Sequence, residues 1–176
     1  RRPPRSTLLC YRRQRQMCIR DRCLDSSLLM SSQAVGVLLI QLFWVLDFLS
    51  AWLLGSHLTG GTEYMFDTGQ PIWLRAMSLF HIVMPPLLLW GVHRLGYDCR
   101  GWKLQTFIAW LLLPATFLLA DPGLNINWVW QPFGLPQSLL SPHAFVLFMM
   151  LAYPLLLVFP THLLLSHWFR PVDASK

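Results

Sequence analysis

The chain has 176 residues, of which 55% are hydrophobic, 14% aromatic and only 12% charged. Soluble domains usually carry about 25% charged residues, so the composition excludes an ordinary soluble protein and predicts one membrane domain. The formal net charge of +6 does not indicate nucleic-acid binding. Eight of the 14 Lys and Arg residues lie in residues 1–22, and the rest of the chain is slightly acidic. We therefore expect no nucleic-acid partner.

Residues 1–28 form a basic leader that precedes the membrane domain of residues 29–170. Its first 22 residues have no apolar periodicity, and the run QMCIRDR resembles translated sequencing-adapter read-through at the end of an assembled gene. We expect residues 1–22 to be such an artefact and exclude them from fold reasoning. The alternative is a genuine basic tail beside the membrane that binds anionic lipid.

Four apolar segments are long enough to cross a membrane, since about 20 residues at ~1.5 Å rise span a ~30 Å hydrocarbon core. They lie at about residues 33–54, 72–93, 104–120 and 143–168, and a polar tail follows at residues 171–176. The predicted fold class is therefore all-α, a polytopic helical membrane protein with about four transmembrane helices.

Prolines predict breaks in two of these helices. Pro85 and Pro86 remove backbone donors, so we expect a kink near Ile82 in the second helix. Pro154 and Pro160 are expected to interrupt the fourth helix.

The basic residues of the loops predict the orientation in the membrane. The loop between the second and third helices and the C-terminal tail together carry five Lys and Arg residues, whereas the opposite side carries only Arg75. Because loops rich in Lys and Arg stay in the cytoplasm, both termini are expected to be cytoplasmic.

Asp47 and His81 are the candidate catalytic residues, because polar groups inside a membrane are costly and usually functional. They lie about 10 Å and 13 Å from the outer ends of antiparallel neighbouring helices, and Tyr153 lies at about 15 Å depth, at ~1.5 Å per residue. A carboxylate beside an imidazole suits general-base or proton-relay chemistry. The alternative is a structural hydrogen bond that fixes the helix packing.

Two loops are predicted to face away from the cytoplasm, the first outer loop of residues 55–71 and the second outer loop of residues 121–142. Their polar and aromatic residues are the candidates for binding a lipid head group or another polar ligand. These are Glu63, Tyr64, Asp67, Asn125, Asn127, Trp128 and Gln137. The alternative is an ordinary solvated loop with capping polar groups. Glu63 and Asp67 with His57 or His143 would also suit a divalent metal, but we predict no metal site and no cofactor.

Five stretches together resemble a family of bacterial integral membrane proteins that has no established activity. They are HLTGGTEYMFD, SLFHIVMPPLLLW, HRLGYDCRGWKLQT, DPGLNINWVWQPFGLPQ and YPLLLVFPTHLLL. The resemblance covers about residues 33–170, and residues 1–22 depart from it. It implies that Tyr64, His81, Tyr97, Asp98, Asn125, Asn127, Trp128 and Gln137 stand in family-like motifs, and it assigns none of them a role.

These observations predict a non-enzymatic component of the bacterial cytoplasmic membrane that serves in binding, assembly or minor transport. The sequence contains no nucleophile elbow, Gly-rich phosphate loop or H-E-x-x-H motif. The expected partners are membrane lipids and a protein, either another chain or a second copy of this one. The alternative is a membrane-embedded enzyme that acts on a lipid or lipid-linked substrate with Asp47 and His81 as its acid–base pair.

Overall fold

The computed structural model describes the backbone of residues 5–132 and 137–169, and side chains from Ser26 onward except that of Leu124. Within these ranges the regular structure is helical and contains no β-strand, which confirms the all-α prediction. The predicted polar tail of residues 171–176 lies outside the described residues, as do the first four residues of the leader and the side chains of residues 1–25.

Six α-helices follow one another along the described chain. They are α1 (Arg5–Leu54), α2 (Ile72–Ser78), α3 (Phe80–Leu95), α4 (Gly101–Leu119), α5 (Pro142–Tyr153) and α6 (Phe159–Trp168). A π-helical turn at Pro154–Val158 joins α5 to α6. Within the described ranges, four segments are long and apolar enough to cross a membrane, namely Ser26–Leu54, Ile72–Leu95, Gly101–Leu119 and Pro142–Trp168. The four predicted spans are thereby confirmed, with the largest difference at the start of the first.

The second span breaks at Leu79, three residues before the predicted position at Ile82. The N–H of Ile82 donates to the carbonyl of Leu79 at 3.0 Å, which closes a tight turn between residues three apart. The rings of Pro85 and Pro86 obstruct the carbonyls four residues before them. The backbone accommodates this obstruction upstream, where α2 gives way to α3.

The fourth span changes its winding between its two prolines, as predicted. The N–H of Phe159 donates to the carbonyl of Pro154, five residues earlier, and this widens the helix by one residue. Pro160 then lies in the first turn of α6, where a missing N–H is tolerated. The interruption is therefore a π-helical turn within a continuous span.

Trp110 of α4 donates a hydrogen bond to the backbone near Pro154. Pro154 has no N–H to donate to the carbonyl of Met150, four residues earlier, as another helical residue would. The indole N–H of Trp110 donates to that carbonyl at 2.8 Å. Hydrocarbon offers no water to bond such a carbonyl, so this hydrogen bond also connects α4 with α5.

Helix α1 lies at the centre of the bundle and packs against α3, α4, α6 and the π-helical turn. The main buried cluster joins α1 to α3, α6, the π-helical turn and the loop before α4 through the side chains Ala34, Val35, Leu38, Leu88, Val92, Tyr97, Val158 and Leu165. Helix α4 begins so close to α1 that a Cβ at Gly101 would lie 2.9 Å from the backbone carbon of Ser31. A second, smaller cluster of Leu113, Val129 and Val146 packs α4 against α5 and the outer loop.

Replacing Trp110 by Phe is expected to destabilise the protein. The change removes the donor to the Met150 carbonyl, and hydrogen bonds between membrane helices contribute roughly 0.6–1.7 kcal/mol. Equilibrium unfolding in detergent would measure this loss. The matched control is Trp90→Phe, because Trp90 lies on the lipid-facing side of α3 and is 61% exposed. Equal losses from the two substitutions would contradict the assigned role of Trp110.

Candidate functional site

Asp47 anchors the first outer loop to the end of α1. Its side chain is buried, with 1% of its surface exposed. Oδ1 accepts from the N–H of Thr59 at 2.6 Å, and Oδ2 accepts from both the N–H and the hydroxyl of Thr62 at 2.9 and 2.6 Å. Nδ1 of His57 lies 3.6 Å from Oδ2. Both carboxylate oxygens are therefore occupied by groups of the loop.

His81 has different partners, at the interface between α1 and α3. Its Nδ1 is hydrogen-bonded to Oε1 of Gln41. Its ring stacks on Trp44 and Phe80, with centroids 4.5 and 4.0 Å away. The imidazole is thus held between two aromatic rings by contacts that do not include Asp47.

The structure therefore does not bring Asp47 and His81 together as the sequence suggested. Gln41 and Asp47 are six residues apart, which at about 3.6 residues per turn places them on different sides of α1. Helix α3 packs on the side of Gln41, so His81 meets Gln41, while the loop covers Asp47. Tyr153 does not join either residue, because its hydroxyl bonds to Gly36 and Gln105.

Four of the predicted ligand-binding residues make local contacts or face solvent. Glu63 and Asp67 are exposed, and Asp67 accepts from the N–H of Gly69 at 2.8 Å. Tyr64 is half-buried, and the amide of Gln137 bonds to the backbone of Leu140. In the part of the chain that the structure describes, no group of three or more His, Cys, Asp or Glu side chains is arranged to hold a metal ion.

The second outer loop is organised by its asparagines. Oδ1 of Asn125 accepts from the N–H groups of Trp130 and Gln131 at 3.2 and 3.0 Å. Nδ2 of Asn127 donates to the hydroxyl of Thr116 on α4 at 2.9 Å. These bonds hold the loop over the outer end of α4.

Three residues of this loop have left-handed backbone conformations. The φ angles of Asn125, Asn127 and Trp128 are 43°, 54° and 54°. Asparagine tolerates this region, but a bulky residue such as tryptophan is an outlier there. Such strain persists only where surrounding contacts impose it, and it clusters at ligand clamps and active sites.

Asn127 and Trp128 line a cavity of about 600 Å³. The cavity lies between α1, α4 and α5 and extends along the π-helical turn. Most of its wall is apolar, formed by Val37, Ile40, Ile108, Ala109, Leu112, Leu113, Phe148, Met149, Ala152, Leu156 and Leu157. None of the described residues that line it carries a charge. Its volume and its few polar groups are typical of a small-molecule site.

A hydrogen-bonded network crosses the wall of this cavity. The hydroxyl of Ser32 donates to Oε1 of Gln105 at 3.1 Å, and Nε2 of Gln105 donates to the hydroxyl of Tyr153 at 3.2 Å. That hydroxyl donates in turn to the carbonyl of Gly36 at 2.8 Å. A Cβ at Gly36 would overlap the Gln105 side chain, so the network requires glycine there. The network therefore joins α1, α4 and α5 at one point.

Sequence reasoning missed two polar residues of this cavity, Gln33 and Gln105. Both side chains are amides inside or beside an apolar span, and such polar side chains in a membrane usually face protein or a cavity. Their position near the N-terminal ends of the first and third spans concealed this signal, because polar residues are common at the ends of spans.

Tyr97 and Asp98 fasten the short loop between α3 and α4 to the bundle. The Tyr97 hydroxyl lies 2.6 Å from Nδ1 of His162, and the N–H of Asp98 donates to Ser31 at 2.8 Å. Burial, together with the nearby Cys99 and Asp98, raises the pKa of Tyr97 above its ordinary value. Burial alone would raise the pKa of Asp98, but hydrogen bonds and charge from Arg100 lower it overall. This loop has a structural role in the assembly of α1, α4 and α6.

Comparison with known proteins adds no family assignment. No protein-family model, curated protein sequence or solved structure matches this chain. The resemblance of residues 33–170 to bacterial membrane proteins stays a prediction, and the case for a function depends on the geometry of the site.

A double-mutant cycle on Asp47→Asn and His81→Ala is expected to show additive losses of stability, with coupling below about 0.5 kcal/mol. Asp47→Asn alone should destabilise, because its amide NH₂ group cannot accept from the N–H donors of the loop. Equilibrium unfolding in detergent measures each variant.

The matched control is the cycle of Gln41→Ala with His81→Ala, where the two side chains touch. Its coupling is expected to exceed about 0.5 kcal/mol. A coupling above about 1 kcal/mol between Asp47 and His81 would contradict the separate roles assigned to them.

Proposed function

We propose that the protein is a non-enzymatic binding component of the bacterial cytoplasmic membrane that holds a lipid in the cavity between α1, α4 and α5. The observation that carries this proposal is the uncharged, mainly apolar cavity of about 600 Å³. Pockets of about 300–1,000 Å³ with a few placed polar groups are the usual form of a small-molecule site. Within a membrane-spanning bundle, the molecules available to such a cavity are lipids.

The proposed orientation gives the cavity two distinct ends. Both termini are cytoplasmic in this proposal, because the basic residues of the chain cluster on that side. Gln33 and Gln105 then lie toward the cytoplasm, whereas Asn127 and Trp128 close the end toward the periplasm. The ligand would lie along α1 and α4 with its ends in different surroundings.

The contacts of Asp47 favour this binding role over the enzymatic alternative. A carboxylate that orients and activates an imidazole must be hydrogen-bonded to it, and the partners of Asp47 and His81 are separate. The Asp47 carboxylate accepts its hydrogen bonds from Thr59 and Thr62 of the loop, and Asp47 does not line the cavity. A lipid-modifying enzyme would therefore have to use other residues of this chain.

Filling the cavity is expected to remove the bound lipid while the fold persists. Ala109 is buried in the cavity wall, so Ala109→Phe would place a ring where the lipid lies. We expect wild-type protein released from membranes to carry about one lipid per chain, and the variant to show at least about a tenfold lower affinity, or roughly 1.4 kcal/mol. Native mass spectrometry of the purified protein measures the occupancy.

The control is Leu111→Phe, which makes a similar change on the lipid-facing side of the same helix, where Leu111 is 59% exposed. If Ala109→Phe does not fold, Ala152→Phe fills the same cavity from α5. Wild-type protein without lipid, or a folded filled variant with undiminished lipid, would refute the proposed function.

A further inference from the structure

Resting on the proposed function, we infer that the cavity selects an uncharged lipid whose head group carries an amide, carbonyl or hydroxyl, and that Gln33 and Gln105 bind this head group. The inference specifies the chemical class of the ligand and the end of the cavity at which its polar part lies.

The charge of the wall determines the class of ligand. Among the described residues that line the cavity there is no Asp, Glu, Lys, Arg or His. An ionised head group that leaves water needs an opposite charge, whereas an uncharged polar group needs only hydrogen bonds. A phosphate or carboxylate beside the buried Gln105 would find no counter-charge on these residues, so the cavity disfavours fatty acids and phospholipids.

Unused hydrogen-bonding capacity locates the head group. The amide of Gln33 lines the cavity and has no hydrogen-bond partner among the described residues. Gln105 donates one N–H to Tyr153, which leaves its second N–H for a ligand. The hydroxyl of Tyr153 has already donated its proton to Gly36. The two glutamines therefore offer N–H donors for a ligand oxygen, and Gln33 also offers an acceptor.

The opposite end of the cavity fits the tail of such a lipid. Apolar side chains of α1, α4 and α5 extend from the glutamines to the outer loop. There Trp128, held in a left-handed backbone conformation, forms part of the wall. Strain of this kind at the end of a cavity is typical of a residue positioned to contact a ligand.

Oleamide and oleate are the probes that test this inference, because they share one chain and differ in the charge of the head group. At pH 9 the carboxyl group of oleate in water is ionised, since carboxyl pKa values in water lie near about 4. Equilibrium binding of each radiolabelled probe to the purified protein in non-ionic detergent gives the two dissociation constants. We expect oleamide to bind at least about tenfold more tightly than oleate.

The outcomes separate the two proposals. Equal affinities, or tighter binding of oleate, would overturn the inference about charge and leave the binding function in place. Binding of neither probe, by a protein that also carries no lipid from the membrane, would overturn both.

A charge introduced at Gln33 tests the position of the head group. Gln33 is exposed and bonds to no described residue, so Gln33→Lys is expected to preserve the fold and to shift the preference toward oleate. Gln33→Leu should weaken oleamide binding about three- to tenfold, as expected for one lost hydrogen bond. The control is Leu29→Lys, which adds the same charge one turn earlier on α1 at a residue that does not line the cavity. An unchanged preference in folded Gln33→Lys protein would overturn the assignment.

Discussion

The hydrogen bonds of α1 are the interactions on which the rest of the bundle depends. In hydrocarbon, apolar side chains gain little by leaving lipid for one another, so packing and polar contacts must hold the helices together. Helix α1 carries buried polar side chains along much of its length, and each reaches a different part of the chain. Ser31 bonds to Asp98 in the loop between α3 and α4, Ser32 to Gln105 of α4, Gln41 to His81 of α3, and Asp47 to Thr59 and Thr62 of the outer loop.

The same network places the cavity. Glycine at position 36 lets the side chain of Gln105 lie against α1, and Tyr153 completes the contact from the fourth span. Beyond this point the three helices are separated by the cavity, whose outer end is formed by the Asn127 and Trp128 loop. The residues that determine helix packing therefore also form the polar end of the cavity, so the proposed ligand binding would be coupled to stability in this fold.

Hydropathy predicted the four spans, because a lipid environment favours apolar helices that satisfy almost all of their backbone groups internally. Depth alone could not predict the contacts of Asp47 and His81, because the rotation of each helix about its axis also decides which side chains meet. Loop composition directed attention to Asn127 and Trp128, and the structure places both in the wall of the cavity. The sequence did not single out Gln33 and Gln105, because polar residues are common near the ends of membrane spans.

The mainly apolar cavity affects the energetics of folding. Atoms beside a gap lose dispersion contacts, and a cavity among packed helices is unfavourable unless an apolar molecule restores those contacts. A lipid that occupies this cavity would therefore stabilise the folded state by mass action, by an amount that grows with the logarithm of its concentration relative to its dissociation constant. Tyr153 and Gln105 connect the wall of the cavity to α1, so a bound lipid would also stabilise the hydrogen bonds that hold the central helix.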